Sequence, residues 1–242
     1  MKVFFRTTSN KAGKFRPDWF SYEKCFENFT KEFKDDDVTV FFDGELMKDH
    51  YVHKSGFNIV PIQEGSETKS FLKLVDYILN QNYKDDEVIY IVEDDYLHRE
   101  GASQILKEAF SQFPNAYYAT LYDHNDKYIP GYYEMYAPNF PIQLLVSKSV
   151  HWRTTPSTTN TFATRFKTLK EDIEIHKEFS SPEKKTSDDH IKFISLWNKG
   201  RSLISCIPGY STHVENALMS PTIEWEKVSD SCHCPVIRHM CL

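Results

Sequence analysis

Three consecutive acids, Glu93-Asp94-Asp95, close a run of apolar, β-branched and aromatic residues, Val88-Ile89-Tyr90-Ile91-Val92. Such a run reads as a buried strand. Successive strand side chains point to opposite faces, so Glu93 and Asp95 are expected on one side and Asp94 on the other. Two carboxylates on one side of a strand end suit a hard divalent cation, Mn2+ or Mg2+, whose remaining positions accept phosphate oxygens. An isolated acid triplet often just ends a strand at solvent. Here Tyr96-Leu97 continue the apolar character, and unpaired acids against a core strand are costly without a cation.

Other polar groups fall at the same kind of place. The first strand, Lys2–Arg6, runs into Arg6-Thr7-Thr8-Ser9-Asn10, a hydroxyl-rich loop suited to a nucleotide's base or phosphate. A second strand, Val38–Phe42, ends in Asp43-Gly44. Asp43 there is equally a hydrogen-bond acceptor for a base or ribose and part of a plain Asp-Gly turn. After a third strand, Phe57–Ile62, comes Gln63-Glu64-Gly65-Ser66-Glu67-Thr68. It lacks the phosphate-loop pattern, but Gly65, Ser66, Lys69 and Ser70 at a helix start offer donors to a phosphate or base.

Helices separate these strands. From Pro17 onward, Trp19, Tyr22, Phe26, Phe29 and Phe33 recur at helical spacing. Phe71, Leu74, Val75 and Ile78 mark a second helix, and Ile105, Leu106, Ala109 and Phe110 a third, before the strand Ala116–Leu121. The first half thus reads β-α-β-β-α-β-α-β, the pattern of an α/β domain with a mixed, mainly parallel sheet flanked by helices. In the second half, Ile142–Ser147 reads as a strand and His151-Trp152-Arg153-Thr154-Thr155 as a polar stretch. Phe162, Phe166, Leu169 and Ile173 form a helical stripe. Asp188-Asp189 open a later helix, where acids are stabilised by the helix dipole with or without a function. The strand Leu203–Ile207 leads to a loop carrying His213.

The 242 residues suffice for one large domain with a substantial core. A net charge of −6 gives no general attraction to nucleic acid. Nothing approaches the ~20 consecutive apolar residues of a membrane span, and MKVFFRTT lacks a signal-peptide core; a cytoplasmic protein is expected. Five cysteines do not suggest a disulfide framework. Cys232, His233, Cys234, His239 and Cys241 are either a zinc site or a tail of thiols.

In order and spacing these features resemble an A-type (GT-A) glycosyltransferase, similar to family 2 and to small viral capsid-modifying enzymes. The resemblance rests on Arg6-Thr7-Thr8, Asp43, the Gly65–Ser70 loop, Glu93-Asp94-Asp95, Asp188-Asp189 and His213. It implies one domain over residues 1–220, with a nucleotide-sugar half (1–125), an acceptor half (126–220) and a tail (221–242). The acid triplet falls at the family's Asp-x-Asp metal motif, with Asp95 nearest the cation and Glu93 in place of the first Asp. His213 matches a late histidine that some members use as a further ligand. Arg6, Thr7, Thr8, Asp43 and Asp94 would face a nucleotide-sugar donor, preferably a UDP-sugar. Asp189, or Asp188, would deprotonate a hydroxyl of a glycan or glycoprotein acceptor, giving inversion.

Tyr96, His98, Tyr132, Tyr133, Trp152 and Trp197 are candidates for sugar stacking, Trp152 foremost because its Thr-rich surroundings read as exposed. Two other classes stay in play. A sugar nucleotidyltransferase needs a Gly-rich basic loop after the first strand, of which Lys11, Gly13, Lys14 and Arg16 are a partial version. A non-catalytic nucleotide- or carbohydrate-binding module would use Asp188 and Asp189 only as helix caps.

Overall fold

The computed structural model describes residues 1–11, 13–131, 137–184 and 186–231. Their centre is a nine-stranded sheet. In chain order its strands are β1 (Lys2–Thr8), β2 (Asp37–Asp43), β3 (Asn58–Ile62), β4 (Val88–Glu93), β6 (Tyr118–Thr120), β7 (Leu144–Val146), β8 (His151–Thr154), β9 (Phe162–Arg165) and β10 (Leu203–Ile207). Across the sheet they run β3-β2-β1-β4-β9-β6-β10-β8-β7. The first four are mutually parallel, so β1, β2 and β4 end on the same side. β9 enters antiparallel between β4 and β6, and β10 then runs parallel to β6. A separate two-stranded ribbon pairs β5 (Tyr96–His98) with β11 (Ser211–His213). The chain is therefore α/β with a mixed sheet, and both halves read from the sequence contribute strands to it.

Alternation along the strands explains the two layers over the sheet. Phe5 faces α1 (Tyr22–Phe33), with ring centroids 5.1 Å from Phe26 and 4.6 Å from Phe29. Phe4 and Ile91 point the other way, into the cluster that holds Phe71, Leu74 and Ile78 of α2 (Glu67–Leu79). Burying each such side chain contributes roughly 1.5–3 kcal/mol. α3 (Ala102–Gln112) shares the Phe5 layer. α4 (Phe166–Glu171), α5 (Ile173–Phe179) and α6 (Asp189–Asn198) follow β9.

The structure corrects several boundaries. The first helix starts at Tyr22, where the Ser21 hydroxyl accepts from the Lys24 N–H at 3.0 Å; Pro17 lies in a turn closed by Phe20 N–H donating to the Pro17 carbonyl. Phe162 belongs to strand β9, not to a helix: Ile91 opposite Phe162 and Tyr118 opposite Thr164 tie it to both neighbours. Within the stretch read only as polar, His151–Thr154 is a strand. Packing continues beyond residue 220. Trp225 of α7 (Trp225–Asp230) is buried beside Cys25, Leu97 and Val214, and its indole donates to the Ser220 carbonyl at 2.8 Å. The Cys/His cluster from Cys232 onward, and Tyr132 and Tyr133, lie outside the described residues. Among the described residues no helix is long and apolar enough to cross a membrane.

Candidate functional site

The parallel register sets the site. Arg6 lies beside Glu93 across the β1–β4 pair, and Thr8 beside Asp43 across β1–β2. Above these strand ends opens a cleft of about 570 Å³, lined among others by Thr7, Thr8, Lys11, Lys14, Asp43, Ser66 and Asp94. Ligands of open α/β sheets collect at such strand ends. Of the proposed donor contacts, Arg6, Thr7, Thr8, Asp43, Gly65, Ser66 and Asp94 all reach the cleft wall. Lys69 is exposed, its backbone N–H bonded to the Ser66 hydroxyl that caps α2.

The three acids part company. β4 stops at Glu93 and the chain turns at Asp94-Asp95, so strand alternation no longer governs them. Glu93 is drawn to Arg6, whose guanidinium lies 2.8 Å from it and 2.9 Å from Glu67. Asp94 accepts from the Thr7 hydroxyl at 2.6 Å and from the Lys11 ammonium. Asp95 Oδ2 lies 2.6 Å from Arg16, 3.0 Å from Lys14 Nζ and 3.0 Å from His213 Nε2. In this structure Glu93 and Asp95 do not face a common position: a buried carboxylate needs a partner, and each acid is held by a different cation.

His213 reaches Asp95 through the small ribbon. Pairing of β5 with β11 sets Tyr96 opposite His213, and the Val214 N–H donates to the Asp95 carbonyl at 2.9 Å. Burial alone would raise the Asp95 carboxyl, but His213, Lys14 and Arg16 hold it well below the usual range. Burial pushes Glu93 up to about 7 despite Arg6, with the charges of Asp95, Glu67 and Asp189 adding to the rise. Among the described residues no three His, Cys, Asp or Glu side chains form a metal cluster. Arg16 and Lys14 both sit on the Asp95 oxygen, while Asp95 and His213, the pair expected as ligands, lie 3.0 Å apart. That pair supplies a hard oxygen and an imidazole nitrogen, and Lys14 Nζ, itself a cation, sits on both at 3.0 and 3.1 Å. Glu93, turned to Arg6, falls outside that pair.

A second network joins the cleft to the start of α6. Glu67 accepts from Asn160 at 2.8 Å and from the Ser187 N–H at 2.8 Å. The fully buried Lys192 ammonium bonds Asn160 Oδ1 and lies 2.8 Å from Asp189 Oδ1. Burial raises the Asp189 carboxyl while Lys192 opposes the rise, and its charge is felt at Glu93. Asp189 therefore belongs to the site's electrostatics. Asp188 is about half exposed and pairs with Lys184. Sequence reasoning missed Glu67, Asn160 and Lys192; a lysine on the apolar side of a helix, three residues after an acid, was the available signal.

The stacking residues are corrected. Trp152 is fully buried on β8, its indole donating to Ser147 Oγ at 3.1 Å and its ring meeting Phe113. Its threonine neighbours fill a sheet rather than a loop. Tyr96 is buried, hydrogen-bonded to Thr159 at 2.7 Å and stacked on the His213 ring. His98 is buried against Tyr90, with Nε2 2.8 Å from the phenol oxygen. All three rings are covered by protein in this structure. Asp43 spends its carboxylate on the backbone N–H groups of Glu64 and Gly65, at 2.7 and 3.0–3.1 Å, and so holds the loop before α2. Gly65 takes φ +70°, a conformation that side chains resist.

What fold and site define is an α/β protein with a charged cleft at its parallel strand ends, where Arg6, Lys11 and Lys14 are each paired with an acid. No protein-family model and no curated protein sequence matches the chain. Among solved structures it is similar to the galactosyltransferase LgtC in complex with donor and acceptor sugar analogues, at TM-score 0.45 and 8% identity over 85% of this chain and 73% of that one. It is also similar to the apo form of mouse xyloside xylosyltransferase 1, at TM-score 0.44 and 8% identity over 84% of each chain.

Proposed function

We propose that the chain is an inverting, metal-dependent glycosyltransferase that moves a sugar from a nucleoside-diphosphate donor, preferably a UDP-sugar, to a hydroxyl of a glycan or glycoprotein. One observation carries this reading: the cleft at the ends of β1, β2 and β4 gathers Arg6, Lys11 and Lys14 around an acidic strand end. Cations there meet a diphosphate, and the hydroxyls of Thr7 and Thr8 with the Asp43-held loop face the nucleoside.

Asp95 and His213 would hold a divalent cation, which when bound neutralises charge on the departing diphosphate. The remaining chemistry belongs to side chains. Asp189 takes the proton of the acceptor hydroxyl as its oxygen attacks the anomeric carbon. The bond from that carbon to the diphosphate oxygen breaks, and the nucleoside diphosphate leaves with the electron pair. A carboxyl raised by burial is a better base than an ordinary one. Lys192, 2.8 Å away, fixes its orientation and carries a positive charge beside the carboxylate.

Calorimetric titration with UDP, GDP, CDP and TDP, each with manganese and with EDTA, tests the proposal. One diphosphate binding, and losing affinity in EDTA, is the expected result. No binding to any of them would end the nucleotide-sugar reading. A sugar nucleotidyltransferase remains the second reading because Lys11 and Lys14 follow β1 directly and line the cleft. Pyrophosphate release from a nucleoside triphosphate and a sugar phosphate would favour it.

A further inference from the structure

Glu67 makes more bonds than its place in α2 requires. It is the first residue of that helix, whose opening turn is already capped by the Ser66 hydroxyl accepting from the Lys69 N–H at 3.3 Å. The Glu67 carboxylate reaches instead to other parts of the chain. Oε1 accepts from Arg6 at 2.9 Å and from Asn160 at 2.8 Å. Oε2 accepts from the Ser187 N–H at 2.8 Å and from the Ser187 hydroxyl at 3.0 Å. Asn160 and Ser187 lie 93 and 120 positions further along the sequence. Burial would raise this carboxyl, but Arg6, Ser187 and Asn160 hold it below its usual range. It therefore stays an acceptor for all of these donors.

Both far partners lead to Asp189. Ser187 precedes it by two residues, at the entry to α6. Asn160 accepts from the fully buried Lys192 ammonium, which lies 2.8 Å from Asp189 Oδ1. Asn160 is itself a firm support, because both of its neighbours are pinned. Thr159 is bonded to the Tyr96 hydroxyl at 2.7 Å, and the Thr161 hydroxyl accepts from the Glu93 N–H at 3.1 Å. One acid thus holds the backbone just before Asp189 and, through an amide, the lysine beside it. Glu67 also lines the cleft, as does Thr186, so this joint stands between the cleft and the start of α6.

We propose that Glu67 is the positioning residue of Asp189. It sets the place of that carboxylate relative to the cleft without itself taking the acceptor's proton. The inference rests on the reading of Asp189 as the base and names the group on which the base depends. Misplacing a reacting group by about 1 Å costs roughly 10²-fold in rate. An amide at position 67 cannot do the same work, because it has a single acceptor oxygen. Either Ser187 or Asn160 then meets an N–H group in place of an oxygen. Combining Glu67→Gln with Asn160→Asp restores the match: the introduced amide accepts from Ser187 and donates to the introduced carboxylate, which still accepts from Lys192.

Two measurements on Glu67→Gln test this, beside wild type and the double variant. The first is hydrogen–deuterium exchange of the backbone over residues 187–192. Exchange there is expected to quicken roughly 10-fold or more, the worth of a buried hydrogen bond left unmade, while α3 keeps its wild-type rates. The second is UDP release from UDP-glucose, UDP-galactose and UDP-N-acetylglucosamine. Here kcat is expected to fall roughly 10²-fold with the donor KM unchanged, and the double variant should recover most of both losses. Glu67→Asp keeps the charge but shortens the reach by one methylene; it should show the same two losses, and it carries the test if Glu67→Gln does not fold. Unchanged exchange over 187–192 would overturn the proposal. So would a raised donor KM with kcat kept, which makes Glu67 a donor contact, or a folded double variant that recovers nothing. If wild type releases no UDP from any of these donors, the glycosyl-transfer reading fails. The exchange result still upholds or overturns the tie between Glu67 and the start of α6.

Discussion

Arg6 and Glu93 sit directly across from one another on adjacent parallel strands, their charged groups 2.8 Å apart and both lining the cleft. The same guanidinium holds Glu67 at 2.9 Å, so one cation organises two carboxylates from different elements. Its charge is reinforced by Glu67 and Glu93 against the effect of burial, which would lower it. Replacing Arg6 by Met leaves two carboxylates facing each other in a partly buried site. Breaking a buried pair in this way costs about 3–5 kcal/mol. Urea unfolding of Arg6→Met is expected to show a loss of that order, together with loss of UDP binding; a stability change below about 1 kcal/mol, the level of a surface pair, would mean that the network is solvated.

Asp189→Asn removes the proposed base while keeping the shape of the side chain and a contact for Lys192. Turnover is expected to fall roughly 10²- to 10⁴-fold, the usual worth of a general base, with UDP affinity unchanged. Asp188→Asn breaks only the half-exposed pair with Lys184 and should leave both quantities alone. Steady-state kinetics and calorimetry on the two variants check this. Equal loss in both, or loss in Asp188→Asn only, would move the base to Asp188.

The buried parallel strands were legible because their apolar runs are continuous: Val3-Phe4-Phe5 within Lys2–Arg6, and Val88–Val92, need no partner information to be seen. The α1 stripe was legible for a similar reason, since Phe26, Phe29 and Phe33 repeat at helical spacing and are all buried. Phe162 was misplaced because Phe166 lies four positions further on, a spacing that a strand running straight into a helix imitates. What decides is the pairing with β4 and β6, from residues far off in the chain. The cleft itself was foreseen as strand ends and loops. Asp95 and His213 were expected together and lie 3.0 Å apart; the other pairings were not foreseen, because Lys14–Asp95 and Lys192–Asn160 are long-range contacts set by tertiary geometry.

Trp152 tests the boundary between core and acceptor surface. It is fully buried, and its one polar atom is satisfied by Ser147. Trp152→Ala should therefore cost about 3–5 kcal/mol of stability through the cavity it leaves, measured by denaturant unfolding. At a temperature where the variant stays folded, its KM for acceptor should equal that of wild type. A raised KM with little loss of stability would return Trp152 to the acceptor site.

His98 gives the fold a predictable sensitivity to acid. Burial pushes its imidazole down to about 3, and Nε2 meets the Tyr90 phenol in the core. In the unfolded chain the same group titrates near the ordinary histidine value, about 6.5. A histidine with a lowered folded-state pKa favours the neutral form, so its contribution is fully present above about pH 6.5. It is lost as pH falls from there toward 3, because the unfolded chain takes up a proton that the folded one refuses. Each such group steepens the decline by up to about 1.4 kcal/mol per pH unit in that window. His176, fully buried and also held well below its usual value by burial and by Lys192 and Lys199, acts in the same direction. Denaturant unfolding followed from pH 7.5 to 4.5 should show the decline in wild type. In His98→Asn the curve starts lower but falls less steeply, by one proton's worth. Parallel curves for the two proteins would show that His98 accepts its proton inside the fold and that the Tyr90 contact does not keep it neutral.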